Sequence, residues 1–260
     1  MAEAKTAVAH KPIWTDLATS DVAGAGKFYS AVFGWKVEVN PDPQYGGYAL
    51  AKAGGKDVAG IGPKQMDEAP TAWTVYIGTP DAAETAKKAE AAGAKIIAPV
   101  MEVGDQGHMA IIQDPSGAYL GLWQAGKMQG SQTEGASSMG WAELNARGFE
   151  KAEPFYKKLF GWGEKKTDAV GENPEYTEFQ LHGTDVADGM EMNPMVPAQV
   201  PSYWMVYFNV DNVDKAFDKV VKEGGKEMLA PQDMPGGRFA IVSDPQGASF
   251  GLLKMEEPTR

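Results

Sequence analysis

The 260-residue chain contains no cysteine and only three histidines. Without Cys there can be no disulfide, no thiolate metal centre and no cysteine nucleophile. The histidines are scattered: His10 lies in the N-terminal stretch, His108 at the start of an apolar run and His182 in the turn-like "QLHGTD". Positive charge is scarce too, with 24 Lys and Arg against 35 Asp and Glu, a net charge of −11. That balance, with no basic stripe, repels phosphate backbones and makes nucleic acid an unexpected partner. No apolar run is long enough to span a bilayer, so no membrane partner is expected. The opening "MAEAKTAVAH" lacks the apolar core of a secretion signal. Residues 1–9 are therefore expected to form a disordered tail, and the location to be cytoplasmic. Phosphate loops, a Ser-His-Asp arrangement and the dinucleotide glycine pattern are all missing.

What is present is a globular composition, 43% hydrophobic and 10% aromatic, written twice. "WTDL" at 14–17 returns as "WAEL" at 141–144, and "FYSAVFGW" at 28–35 returns as "FYKKLFGW" at 155–162, both at an offset of 127. Trp73 and Tyr76 match Trp204 and Tyr207, and "GHMAIIQDPSG" at 107–117 matches "GRFAIVSDPQG" at 237–247. Order and spacing are kept throughout, the mark of an internal repeat. Between the copies lies "QAGKMQGSQTEGASS" (124–138), with the polar, Gly- and Ser-rich composition of a linker. The expected organisation is a first domain at 10–127, a linker at 128–138 and a second domain at 139–260.

Each copy reads as strand, helix and strands, given twice. Ile13–Thr19 is a strand candidate, and Ser20 or Asp21 can cap a helix that Gly34 stops. Phe28, Tyr29, Val32 and Phe33 give that helix an apolar face. "YALAKAGGKDVAGIG" (48–62) reads as a hairpin around its Gly-Gly pair. Thr79-Pro80-Asp81 opens a helix ending at Gly93, and "DPSG" is a turn between strands. In the second copy the later helix carries Val213, Phe217, Val220 and Val221 on one face. Pro154 fits the second copy's first helix only near its first turn. The fold class expected is α+β, with four βαβββ modules in tandem.

Paired βαβββ modules, "FY…FGW" on the first helix and "DP.G" before the last strand resemble the vicinal oxygen chelate superfamily, which includes glyoxalase I, bleomycin-resistance proteins and extradiol dioxygenases. The resemblance covers nearly the whole chain. It implies sheets curling into an open barrel around a concave site, and metal-using members place ligands on defined strands. Carried over, the first-strand ligand falls at Trp14 and Trp141, and the second module's at Thr74 and Met205. The closing-strand ligand falls at Gly121 and Gly251. The remaining ligand strand falls near Gly60 in one copy and at Asp188 or Gly189 in the other, with Glu191 close by. Trp and Met offer no hard-metal ligand and Gly offers no side chain, and no histidine falls on a ligand position. No metal and no cofactor are therefore expected. Gly121 and Gly251 are read as making room in a pocket that relatives fill with a metal.

Strand alternation puts Asp16 on the face of Trp14, and Glu143 and Asn145 on the face of Trp141. Asp16 and Glu143 are candidate acid/base groups, or else caps for neighbouring backbone. Thr74 with Tyr76, Met205 with Tyr207, and Tyr119 and Trp123 flanking Gly121 would line an aromatic pocket, or form ordinary core. His108 aligns with Arg238, a polar or cationic group for each pocket rim, or a surface residue of its hairpin. The two copies carry different linings, so their ligand preferences should differ. The function expected is binding of a small, aromatic or metabolite ligand by a monomer or homodimer. Two alternatives are a metal-free hydroxylase- or isomerase-like enzyme and, third, a metal-dependent lyase or dioxygenase.

Overall fold

The computed structural model describes residues 9–132, 135–167 and 175–256, so most of the 1–9 tail lies outside the described residues. Strand β1 (Pro12–Thr19) leads into helix α1 (Val22–Phe33), followed by β2 (Lys36–Val39), β3 (Ala49–Ala53) and β4 (Lys56–Pro63). The second module gives β5 (Ala72–Gly78), α2 (Ala82–Ala91), β6 (Lys95–Val103), β7 (Gly107–Gln113) and β8 (Tyr119–Ala125). The second copy repeats this as β9 (Met139–Ala146), α3 (Phe149–Phe160), β10 (Gly163–Thr167), β11 (Tyr176–Leu181) and β12 (Thr184–Glu191). It closes with β13 (Tyr203–Asn209), α4 (Val213–Lys222), β14 (Lys226–Met234), β15 (Gly237–Ser243) and β16 (Ser249–Met255). The result is α+β: two eight-stranded mixed sheets, ordered β2-β3-β4-β1-β5-β8-β7-β6 and β10-β11-β12-β9-β13-β16-β15-β14. Among the described residues no helix is long and apolar enough to cross a membrane.

Local chemistry sets the boundaries. Asp21 caps α1 by accepting from the Gly24 amide at 2.8 Å, and Gly34 ends the helix in the left-handed conformation at φ 71°. The β3–β4 hairpin turns on Gly54 and Gly55, both at positive φ as a tight two-residue turn requires. Pro154 is the sixth residue of α3, past the first turn, so the helix forgoes one internal hydrogen bond. The expected apolar face of α4 is narrower than four residues: Val213 and Val220 are buried, whereas Val221 is 48% exposed.

Contacts divide the chain into two compact units that recombine the sequence copies. One comprises Met1–Ile13, Val75–Gly130 and Trp141–Met205; the other comprises Trp14–Thr74, Ser131–Gly140 and Val206–Arg260. The repeated motifs explain this. Within the second unit, Tyr29 of "FYSAVFGW" donates to Asp244 of "DPQG" at 3.0 Å and accepts from the Trp73 indole at 3.0 Å. Within the first, Tyr156 of "FYKKLFGW" donates to Asp114 of "DPSG" at 2.7 Å and accepts from Trp204 at 2.9 Å. Each helix tyrosine thus reads the turn aspartate of the other copy. That aspartate's remaining oxygen accepts turn amides, Ser116 and Ala118 for Asp114, Gln246 and Ala248 for Asp244. Burial pushes both tyrosine hydroxyls well above their ordinary range, so they act as fixed neutral donors.

The "FGW" tryptophans make the same exchange. Trp35 donates to the Ser137 carbonyl at 2.7 Å, and Trp162 donates to the His10 carbonyl at 2.6 Å. Ser137 and His10 both adopt positive φ, 65° and 63°, two residues before β9 and β1. The residues around Ser137, expected as a plain linker, are therefore tied down: Ser137 also bonds the Phe33 carbonyl at 2.8 Å, and Gln132 bonds Asp57.

Candidate functional site

In the second unit a three-residue cluster forms on β1. Trp14, 2% exposed, donates its indole N–H to Asp16 Oδ1 at 2.6 Å. The Tyr48 hydroxyl donates to the same oxygen at 2.6 Å and stands 3.4 Å from the indole nitrogen. Asp16 lies in register with Gly60 of the parallel strand β4. A Cβ on Gly60 would stand 1.8 Å from the Tyr48 hydroxyl and 2.2 Å from Asp16 Oδ1. Only glycine leaves the space these two groups share.

The first unit holds the counterpart on β9. Here the Trp141 indole donates to Asp188 Oδ2, and Asp188 sits on β12 in register with Glu143. The Tyr176 hydroxyl stands 2.6 Å from Asp188 Oδ2 and 2.9 Å from Glu143 Oε2. Asn145 donates to Glu143 Oε1 at 2.8 Å. Glu143, Asn145 and Asp188 are all buried, at 7%, 8% and 6% exposed. Burial pushes the Asp188 carboxyl up to about 7, against the Tyr176 and Trp141 hydrogen bonds that oppose it and with help from the Glu143 charge. Burial and the two carboxylates hold the Tyr176 hydroxyl far above its ordinary range. Tyr203 is pushed up to about 12 by burial and by Glu143.

The closing-strand glycines have a different use from the one expected. Gly121 lies in register with Tyr76, and a Cβ there would meet the Tyr76 ring at 2.2 Å. Gly251 lies in register with Tyr207, where the ring would stand at 1.9 Å. The room each glycine makes is filled by a tyrosine ring laid over the backbone, the packing by which aromatics cover strand glycines. The carboxylate position is vacated for an aromatic neighbour rather than for an open space.

The other expected residues separate. Thr74 is half-buried, and its carbonyl accepts from Thr15 at 3.0 Å. Met205 is 2% exposed, while Trp123 is buried and donates to the Met128 carbonyl at 2.9 Å. Tyr119 is 48% exposed at the start of β8. His108 is half-buried, opposite Glu102 and Gln124 in the β6–β7–β8 register. Arg238 is held in ion pairs with Asp214 at 2.8 Å and Asp233 at 2.6 Å, which commits its guanidinium to its own surface. Glu191 caps α3, accepting from Gly148 and Phe149 amides at 3.0 and 2.7 Å. A cleft of about 380 Å³ in the second unit is lined by Val32, Phe33, Asn212 and Lys215 among others, and by none of the cluster residues.

Sequence reading missed Tyr48, Tyr176 and Tyr203, and it noted Asp188 only as a loosely aligned position. One signal was available. An offset of 128 superposes the two hairpins, placing Tyr48 on Tyr176 and Gly60 on Asp188.

The donors at the strand positions that metal-using relatives employ are poor ones. The nitrogen lone pair of an indole belongs to its ring, and both indole N–H groups here are donors to carboxylates. Among the described residues no group of three or more His, Asp or Glu is placed to hold a metal ion. This donor set does not fit the three or four converging side chains of a tight transition-metal site.

Comparison with known proteins places this architecture. The sequence is 37% identical over 250 residues, 94% of each chain, to a Mycobacterium tuberculosis protein named "Putative glyoxylase CFP32". It is 34% identical over 261 residues, 95% of this chain and 94% of the other, to the anthracycline biosynthesis protein DauV of Streptomyces sp. strain C5. A Mn(II)-bound glyoxalase from Novosphingobium aromaticivorans shares the fold at a TM-score of 0.66 and 15% identity, over 96% of this chain and 84% of that one. The profile of the Glyoxalase/Bleomycin resistance protein/Dioxygenase superfamily matches residues 11–122 and again 138–252. With both copies matched and both carrying the module order of that fold, the chain belongs to the Glyoxalase/Bleomycin resistance protein/Dioxygenase superfamily.

Proposed function

We propose that the chain is a metal-independent, small-molecule-binding member of this superfamily, taking an aromatic or polycyclic metabolite at its Trp–carboxylate–Tyr clusters. The observation that carries this reading is the indole in each copy at the first-strand ligand position, held by a carboxylate and backed by a tyrosine hydroxyl. Each cluster sets a few fixed polar groups among aromatic side chains, the composition by which small-molecule sites recognise neutral aromatics. The relative named for anthracycline biosynthesis supports polycyclic aromatic polyketides as the first compounds to try. The test is calorimetry with such compounds before and after chelator treatment. Binding is expected to survive the chelator, with no turnover of the methylglyoxal–glutathione adduct. Elemental analysis finding about one zinc, nickel or iron per domain, lost together with activity, would overturn the reading and restore a metal-dependent lyase.

A second reading, a metal-free acid/base enzyme, is favoured by one feature alone. Glu143 and Asp188 are two buried carboxyls sharing one tyrosine, the setting in which carboxyl acidities are driven apart. Turnover of a bound polyketide, abolished by Glu143→Gln with binding retained, would establish it.

A further inference from the structure

The Glu143–Tyr176–Asp188 cluster is one hydrogen short. Tyr176 has a single hydroxyl hydrogen, yet its oxygen stands at hydrogen-bonding distance from Glu143 Oε2 and from Asp188 Oδ2, 2.9 and 2.6 Å. With both carboxyls ionised, one of these contacts would press oxygen against oxygen with nothing between, and two like charges would sit in register on neighbouring strands. One added proton on Asp188 Oδ2, directed at Tyr176, supplies every contact. Asp188 then donates to Tyr176, Tyr176 donates to Glu143, and Asn145 holds the other Glu143 oxygen. In that arrangement Asp188 Oδ1 is a carbonyl-type acceptor. It is buried and has no hydrogen-bond partner, on a residue only 6% exposed. A buried acceptor left open in this way is costly unless something else fills it.

We propose that Asp188, Tyr176 and Glu143 form a proton-holding binding site that keeps one extra proton and offers the open Asp188 oxygen to a hydroxyl of a neutral aromatic ligand. The proposal deepens the small-molecule reading above and rests on it for the ligand. The raised Asp188 carboxyl agrees with it. The charged and titratable groups bearing on Asp188 are Glu143 from β9, Tyr176 and Glu178 from β11, and Lys165 from β10. Tyr203 of β13 bears on Glu143.

Two measurements on the full chain decide it. In the ligand-free protein, infrared spectroscopy should show a protonated-carboxyl band that fades as pH is raised through about 7. The band should be missing from Asp188→Asn. No such band, or one that Asp188→Asn leaves in place, overturns the extra proton. For the ligand, 2-naphthol and 2-methoxynaphthalene present the same aromatic face and differ in the hydroxyl hydrogen. Naphthol should bind about tenfold more tightly, the worth of one hydrogen bond to a buried acceptor. In Asp188→Asn no single atom can both accept from Trp141 and donate to Tyr176; with the amide oxygen kept on the Trp141 indole, its NH2 takes the open position, so that preference should vanish. Equal binding of both probes by the parent protein, unchanged in Asp188→Asn, sinks the hydroxyl assignment while small-molecule binding stands. Binding of neither sinks both, and the infrared result still decides the proton.

Discussion

The two clusters use the same parts with the acid moved. In the first copy the carboxylate that holds the indole is on the leading strand, Asp16, and the facing position on β4 is Gly60. In the second copy it is on the facing strand, Asp188, and the leading strand adds a second acid, Glu143. Tyrosine comes from the neighbouring hairpin in both, Tyr48 just ahead of β3 and Tyr176 opening β11. One acid per tyrosine gives a contact set that the available hydrogens satisfy, whereas two acids per tyrosine do not. A small change in which strand carries the carboxyl therefore turns a fixed polar anchor into a site that must titrate.

The largest expected consequence of that difference is a stability profile that depends on pH. Folded Asp188 keeps its proton up to about 7, whereas its reference value is 3.8. Between those limits the native state holds a proton that the unfolded state has released, so raising pH favours unfolding. The loss is about 1.4 kcal/mol per pH unit, accumulating to roughly 4 kcal/mol across the window. Urea unfolding across that window should show the parent chain losing stability relative to Asp188→Asn; parallel profiles would erase the distinction between the copies.

Next in size are the strand glycines, where the copies agree. Gly121→Leu and Gly251→Leu must each displace a tyrosine ring, Tyr76 or Tyr207, and should cost about 3 kcal/mol. Retained melting temperature in either variant would mean that the space is open after all. Gly60→Ala strikes only the first copy, pushing the Tyr48 hydroxyl from Asp16 at a cost of about 2 kcal/mol. Ala at 188, which has a Cβ there already, should lack that clash. The smallest effect is Tyr48→Phe, which removes one hydrogen bond worth about 1 kcal/mol. Tyr176→Phe should cost more, because it leaves Glu143 and Asp188 unbridged.

Much of this was legible before any coordinates. Offsets in the sequence revealed the repeat, and Asp21, Gly34 and the Gly54-Gly55 pair marked boundaries through chemistry confined to a few residues. Alternation placed Asp16 beside Trp14, where the two are hydrogen-bonded. Tyr48 and Tyr176 escaped because their partners stand on other strands, 32 residues away for Asp16 and 33 and 12 away for Glu143 and Asp188, and strand periodicity says nothing about which neighbour a side chain reaches. Gly121 was recognised as unusual for a strand, but the Tyr76 ring that occupies its space comes from a separate strand. Arg238 looked like a rim cation until Asp214, one helix away, was seen to hold it.

The crossed bonds from Tyr29 to Asp244 and from Tyr156 to Asp114 bear on what a protease or an engineer could do to this chain. Each half owns a tyrosine, a tryptophan and an aspartate whose partners are encoded in the other half. A nick between residues 128 and 138 should therefore leave two fragments held together, and two half-genes expressed side by side should reassemble what neither yields alone. The covalent join sets the ratio of the halves at one to one; the specificity of their pairing is written in the side chains.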